Sequence, residues 1–369
     1  MTVKYPELGF YTLPGHVTHP GDVHDEVRDG DAMGLGSVWI SDRLNTKNVE
    51  VLSGIAAVHS PSMGIAAGLI ANLPLRHPLV VAAYASTMQL TTGGRFALGI
   101  GRGQAAINDA AGITPLTFEL LEDWVTILRK LWRGESVDYS GPAGELRGAS
   151  LGIALEEPPP IIMSPMGDRT CYWAGKHCDA VVYNSLWTSA AVEHSTRLVR
   201  QGAEDAGRDP AQVRVWTIGV AACELSEEDS LNIIVRRLNT YLALGKLFEN
   251  VCKANHWDTG VLDQVRNLIF DPAMRAKPGS MGDEHISRDL ELIRRTAELY
   301  PRDWIETSCL VGSADNCVDG MQARFDAGAD SILLHGSVPS QLQSLVDKWA
   351  KQRDANRFDS LPANPGWMN

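Results

Sequence analysis

Residues 63–104 read MGIAAGLIANLPLRHPLVVAAYASTMQLTTGGRFALGIGRGQ. An apolar run from Gly64 to Ile70 breaks at Asn72 to Pro74. Leu79, Ala82, Ala83, Ser86 and Leu90 then recur at three- and four-residue spacing, which predicts a helix. Pro78 stands in its first turn, and Thr91, Thr92, Gly93 and Gly94 stop it. A second apolar run, Phe96 to Ile100, empties into Gly101, Arg102, Gly103 and Gln104. Strand, helix, strand and glycine-rich exit is the unit from which a parallel sheet is built. The carboxyl ends of such strands are where that sheet holds its ligands.

The same alternation runs through the rest of the chain. Strands are predicted at Leu8 to Leu13, Ser37 to Ile40, Ile161 to Ser164, Asp179 to Asn184, Val213 to Ala222 and Ser331 to His335, nearly all followed by helical patterns. With the two strands above, these make eight βα units in a single domain over residues 1–369. That number favours a closed (β/α)8 TIM barrel over an open Rossmann sheet. Residues 136–155 are glycine-rich and predict an excursion or hairpin. Residues 226–306 are charged and helical and read as an insertion before the last strand. The glycines at Gly101 and Gly103 lack the third glycine of a dinucleotide fingerprint, and no GxxxxGK[ST] occurs.

Bulk composition narrows the function classes. The chain has 369 residues, 44% hydrophobic, with ample material for a core. A net charge of −12, dispersed along the chain, argues against nucleic-acid and anionic-membrane partners. No apolar stretch reaches the roughly 18 residues of a membrane span. The start, MTVKYPELGFYTL, lacks a charged-then-apolar leader. The six cysteines form no CxxC, which suits a reducing compartment. The expectation is a cytoplasmic protein acting on a small-molecule substrate.

In a barrel, the active site lies at the strand exits. Here those exits supply Tyr11, Asp42, Arg43, Asn72, Arg102, Gln104, Asn184 and His335, with the loop from Ser164 to Arg169. The set is polar but poor in nucleophiles. It contains no Ser-His-Asp arrangement and no HExxH, and its few carboxylates point away from a metal site. It suits a cofactor that carries the chemistry itself. Two exits suit a phosphate. Gly101, Arg102 and Gly103 offer bare N–H groups and a guanidinium fork. Met166, Gly167, Asp168, Arg169 and Thr170 open a helix, with Asp168 placed to cap it. The plainer reading of either is a simple βα turn.

The run GLIANLPLRHPLVVAAYASTMQLTTGGRFALGIGRG closely resembles the hallmark of the luciferase-like flavin oxidoreductase superfamily. DAMGLGSVWISDR resembles its second βα unit, PPPIIMSPMGDRTCYWAGKHCDAVVYN its fifth and sixth strands, and LVGSADNCVDGMQARFDAGADSILLHG its last. The resemblance implies a (β/α)8 barrel, usually dimeric, that binds coenzyme F420 or, as the alternative, FMN. The F420 branch is the preferred reading. The cofactor phosphate would map onto Gly101 to Gly103 and Met166 to Thr170, with Asp42 in the same cofactor set. A non-prolyl cis peptide with a bulge, which backs the deazaflavin in that branch, would map onto Gly68-Leu69.

Two positions depart from the family pattern. Arg43 stands where many relatives have His, and Gln104 where the F420-dependent sugar-phosphate dehydrogenases have Glu. Arginine cannot shuttle protons near neutrality and glutamine cannot ionise. Sugar-phosphate dehydrogenation is therefore not expected. Arg43 would polarise a carbonyl or hold an acidic substrate, and Gln104 stays in the candidate catalytic set. His335 is left as the imidazole candidate for proton transfer, and its plainer role is a hydrogen-bonded structural histidine. The expected activity is hydride transfer between F420 and a small organic substrate. The alternatives are an FMN-dependent monooxygenase fed by a separate reductase, and a flavin- or F420-binding protein without catalysis.

Overall fold

Eight strands pair in parallel and close on themselves in the computed structural model, which describes residues 3–15, 19–43, 47–103, 105–113, 116–243, 247–269 and 289–368. They are β1 (Tyr5–Tyr11), β2 (Leu35–Ile40), β3 (Gly64–Ile70), β4 (Phe96–Ile100), β5 (Ile161–Met163), β6 (Ala180–Tyr183), β7 (Arg214–Cys223) and β8 (Ser331–His335). Each pairs with the next, and β8 returns to β1 through Leu8 opposite Ile332 and Phe10 opposite Leu334. This is the (β/α)8 barrel that the strand count predicts. Helices cover it: α1 (Val23–Met33), α2 (Val49–His59), α3 (Pro78–Thr91), α4 (Phe118–Trp132), α5 (Asp168–His177), α6 (Ser189–Asp205), α7 (Ala314–Asp326) and α8 (Gln343–Gln352).

The strands are apolar on both faces because both faces are buried. Leu8, Phe10, Val38, Ile40, Ile65 and Leu334 point outward into the main core beneath the helices. Their neighbours Tyr11, Trp39, Ala66, Ala97, Trp216 and Leu333 point inward as a separate cluster that fills the barrel. Small residues sit among large ones inside. Trp39 and Trp216 meet edge to face at 5.1 Å, and the Trp39 indole N–H donates to Ser37 Oγ at 2.9 Å.

The amino-terminal end of the barrel is closed by residues 362–367. Arg214 is wholly buried there. Its Nη1 donates to the carbonyls of Asn364 (3.0 Å), Pro362 (3.2 Å) and Trp367 (3.2 Å). Its Nη2 donates to Pro6 O at 2.8 Å and Ser331 Oγ at 2.9 Å. The Trp216 indole donates to Pro365 O at 2.7 Å, and Asn364 Nδ2 to Gly94 O at 2.7 Å. Burial lowers the Arg214 pKa to about 10, and the ring of acceptors supplies the hydrogen bonds it would lose from water.

Two excursions leave the barrel. Residues Val137–Gly141 and Gly144–Ala149 form an antiparallel hairpin. Between β7 and α7 the described chain runs through helices Glu227–Ala243, Leu247–Asn255, Gly260–Ile269, Leu290–Ala297 and Arg302–Ser308. A short strand, Cys309–Gly312, then pairs with Val220–Cys223 at the carboxyl end of β7. Among the described residues, no helix is long and apolar enough to cross a membrane.

Candidate functional site

The carboxyl ends of β3, β4 and β5 border a cleft of about 410 Å³. Its floor begins at the end of β3, where the Gly68–Leu69 peptide is cis, at the position where the resemblance places it. The β3–β4 register shifts between Ala67 and Ile70. Gly68 lies over Trp39, and a Cβ there would come within 2.6 Å of the indole. The Tyr11 hydroxyl donates to the Gly68 carbonyl at 2.5 Å, and the Asp42 amide donates to Leu69 O at 3.3 Å. Three strands thus fix this corner.

Gly101, Arg102 and Gly103 line the cleft from β4. Gly103 has φ +83°, and a Cβ there would meet the Asn108 side chain at 2.9 Å and Asn72 Oδ1 at 3.0 Å. Asn108 is buried, and its Oδ1 has no hydrogen-bond partner among the described residues. The opposite wall holds Met166 and Thr170. Arg102 turns its guanidinium onto its own chain, donating to Leu116 O at 3.2 and 3.1 Å. Arg102 and Arg169 lie over the Phe118 ring, 5.1 and 5.4 Å from its centroid.

Other expected residues face elsewhere. Gly167, not Asp168, occupies the cap position of α5. Asp168 is the first helical residue and sits exposed, 3.2 Å from His194 Nε2. The Asp42 carboxylate is held by Arg76 at 3.0 and 3.1 Å, and Arg76 also grips Glu50. Burial pushes the Asp42 carboxyl up although Arg76 pulls it down. Gln104 lies outside the described residues.

Across the barrel mouth is a second compartment, of about 100 Å³. Tyr11, Arg43, Lys47, Arg237, Tyr241 and His335 line it, and Asn184 lines both this compartment and the cleft. Arg43 and Lys47 are tied by reciprocal backbone bonds of 2.8 and 3.0 Å. Lys47 Nζ donates to Leu13 O at 2.6 Å and Gly15 O at 3.3 Å. Arg237 Nη2 stands 3.1 Å from His335 Nδ1. The Tyr241 hydroxyl donates to Asn184 Oδ1, whose amide nitrogen donates to Met166 Sδ at 3.2 Å.

Electrostatics here run one way. Burial, with Arg43 and Arg237 nearby, lowers the Lys47 pKa to about 7. Burial, Arg237, Lys47 and Arg43 together hold His335 well below the usual histidine range, so its imidazole is neutral. Burial raises the Tyr11 phenol. Glu26, whose charge acts on Lys47, is engaged by the Thr12 hydroxyl and the Leu13 amide, both at 2.6 Å. Among the described residues, no group of three metal-ligating side chains occurs.

Of the expected catalytic set, the structure brings Arg43 and His335 together. Lys47, Arg237 and Tyr241, which the sequence did not single out, line the same space. Lys47 follows Arg43 by four residues in the same exit loop, which was the available signal. Arg237 and Tyr241 lie on a helix that the sequence sets apart from the barrel. Trp187 is wholly buried and donates to Ser195 Oγ at 3.3 Å.

The chain is 29% identical over 188 residues to 5,10-methylenetetrahydromethanopterin reductase of Methanolobus tindarius, covering 50% of this chain and 56% of that one. It is 30% identical over 207 residues to the F420-dependent glucose-6-phosphate dehydrogenase of Kineococcus radiotolerans, covering 53% and 61%. The chain thus spans little more than half the length of these curated relatives. Among solved structures, the coenzyme F420 dependent tetrahydromethanopterin reductase of Methanopyrus kandleri superposes with a TM-score of 0.76 at 18% identity, over 94% of this chain and 99% of that one. The profile of the luciferase-like monooxygenase family matches residues 8–331, and the chain belongs to that family.

Proposed function

We propose that this protein is an oxidoreductase that binds the deazaflavin F420 in the cleft beside Leu69 and Gly101 to Gly103. It passes hydride between that cofactor and a small organic substrate held among Tyr11, Arg43 and His335. The observation that carries this reading is the shared wall at Asn184: the cleft and the compartment are neighbours, as a cofactor and its substrate must be. The cleft also fits the group, because the unpartnered Asn108 Oδ1 and the bare backbone at Gly101 and Gly103 suit a polar, phosphate-bearing chain. The F420-dependent relatives support the choice of cofactor.

When bound, F420 supplies the hydride carrier. The chain's own groups do the rest. Tyr11 and Asp42 hold the floor at Gly68 and Leu69. Lys47 is the group in the compartment that exists in both protonation states near neutrality, so it holds the proton that accompanies hydride transfer. His335 accepts from Arg237 and orients it.

The test is to equilibrate the purified protein separately with F420 and with FMN and measure both affinities. Tight F420 binding and weak FMN binding are expected. Tight FMN with negligible F420 binding overturns the proposal in favour of the second reading, an FMN-dependent monooxygenase, which the family's description favours. Turnover of reduced F420 with a panel of carbonyls and enones separates an enzyme from a binding protein.

A further inference from the structure

We infer that the compartment beside His335 is a carboxylate-binding subsite, in which Arg43, Lys47 and Arg237 hold the charged end of a small acidic substrate. The inference rests on the F420-dependent reading for the word substrate, but the subsite itself stands on geometry. Three cationic side chains from two distant elements converge on one small space. Arg43 and Lys47 come from the exit of β2, clasped by their reciprocal backbone bonds. Arg237 comes from the Glu227–Ala243 helix and also borders the adjoining pocket with Arg236. No Asp or Glu is among the described residues lining either space. Glu26 approaches Lys47 but already accepts from Thr12 and Leu13.

In a chain of net charge −12, such a concentration of cations is costly and specific. Burial first, and then Arg43 and Arg237, drive the proton off Lys47, and an anion would relieve the arginines' share of that repulsion. Guanidinium forks suit the planar pair of carboxylate oxygens, and Lys47 adds a point charge. A space of about 100 Å³ holds a group of a few atoms, not a large one. The cations have other partners as well. The argument is their convergence and the absence of lining carboxylates, not vacancy. Because Asn184 separates this space from the cleft, the charge is placed to select the substrate and not to grip the cofactor.

Propionate and propionamide, equal in size and different in charge, are the probes. Each is titrated calorimetrically into the full chain, with and without F420, beside inorganic phosphate. Propionate is expected to bind at least about tenfold more tightly than propionamide and more tightly than phosphate. Arg43→Gln and Arg237→Gln are each expected to lose about tenfold in propionate affinity, with Arg43→Lys and Arg237→Lys recovering part of it. F420 affinity should be unchanged in all four variants, and thermal melting confirms that each folds. Equal binding of propionate and propionamide, tighter phosphate binding, unaltered propionate binding in both glutamine variants, or parallel loss of F420 affinity would each overturn the inference. Failure of wild type to bind F420 while propionate selectivity persists removes the F420 reading and leaves the subsite standing.

Discussion

Arg237 Nη2 stands 3.1 Å from Nδ1 of His335, so a permanent cation from a helix outside the barrel rests on the imidazole that ends β8. A proton added to that ring would meet Arg237, Lys47 and Arg43 at close quarters. The histidine therefore accepts a hydrogen bond from that arginine, which leaves Lys47 as the group proposed to carry the transferable proton.

Lys47 gives the first prediction. An ordinary lysine holds its proton to about pH 10.5, whereas folded Lys47 releases it at about 7. Between those values the unfolded chain binds more protons, so stability rises with pH across the window and the full penalty applies below it. Lys47→Met should therefore gain stability relative to wild type as pH falls from about 10 to about 7, then hold a constant difference. Denaturant titrations across pH check this, and a difference flat with pH would contradict it. Carbonyl reduction by the wild type should decline above pH 7, and that limb should be missing in the variant.

Gly103 combines a left-handed backbone with a crowded Cβ position. Gly103→Ala should cost about 1–2 kcal/mol from the backbone alone. It should also displace Asn72 and Asn108, of which Asn108 lines the cleft. Cofactor affinity, read by titration, should fall about tenfold, the equivalent of one displaced polar contact.

Asn184 joins the two spaces through Tyr241 and Met166. Asn184→Ala removes both links. We expect a loss of about tenfold in kcat/KM, with both cofactor and substrate KM rising. An effect on one ligand alone would contradict the shared-wall geometry.

Arg214 tests the far end of the barrel. Arg214→Met strips donors from the carbonyls of Pro6, Pro362, Asn364 and Trp367. Chemical denaturation should register a loss of about 3 kcal/mol or more. F420 affinity of the folded protein should not change, because the cleft lies at the opposite mouth.

The barrel is legible in the sequence because its signals are local. Gly64 to Ile70 and Phe96 to Ile100 are uninterrupted apolar runs with glycine or asparagine at the exit, and each is decided by its own few residues. The direction of long polar side chains is not local. Arg102 and Asp42 stand at the expected exits, yet Leu116 and Arg76 take their polar ends. Arg237 reaches His335 across 98 positions of chain. Arg214 meets Asn364 across 150. Such meetings exist only once the barrel has closed, and no periodicity announces them.

The strand Cys309–Gly312 pairs with the same β7 from which the helical excursion departs. The excursion therefore begins and ends on one strand, like a drawer on a single runner. Its length and composition can change without shifting the register of any other barrel strand. Because Arg237 and Tyr241 ride on it while Gly101 to Gly103 do not, the compartment beside His335 can be recut while the cleft wall opposite stays as it is.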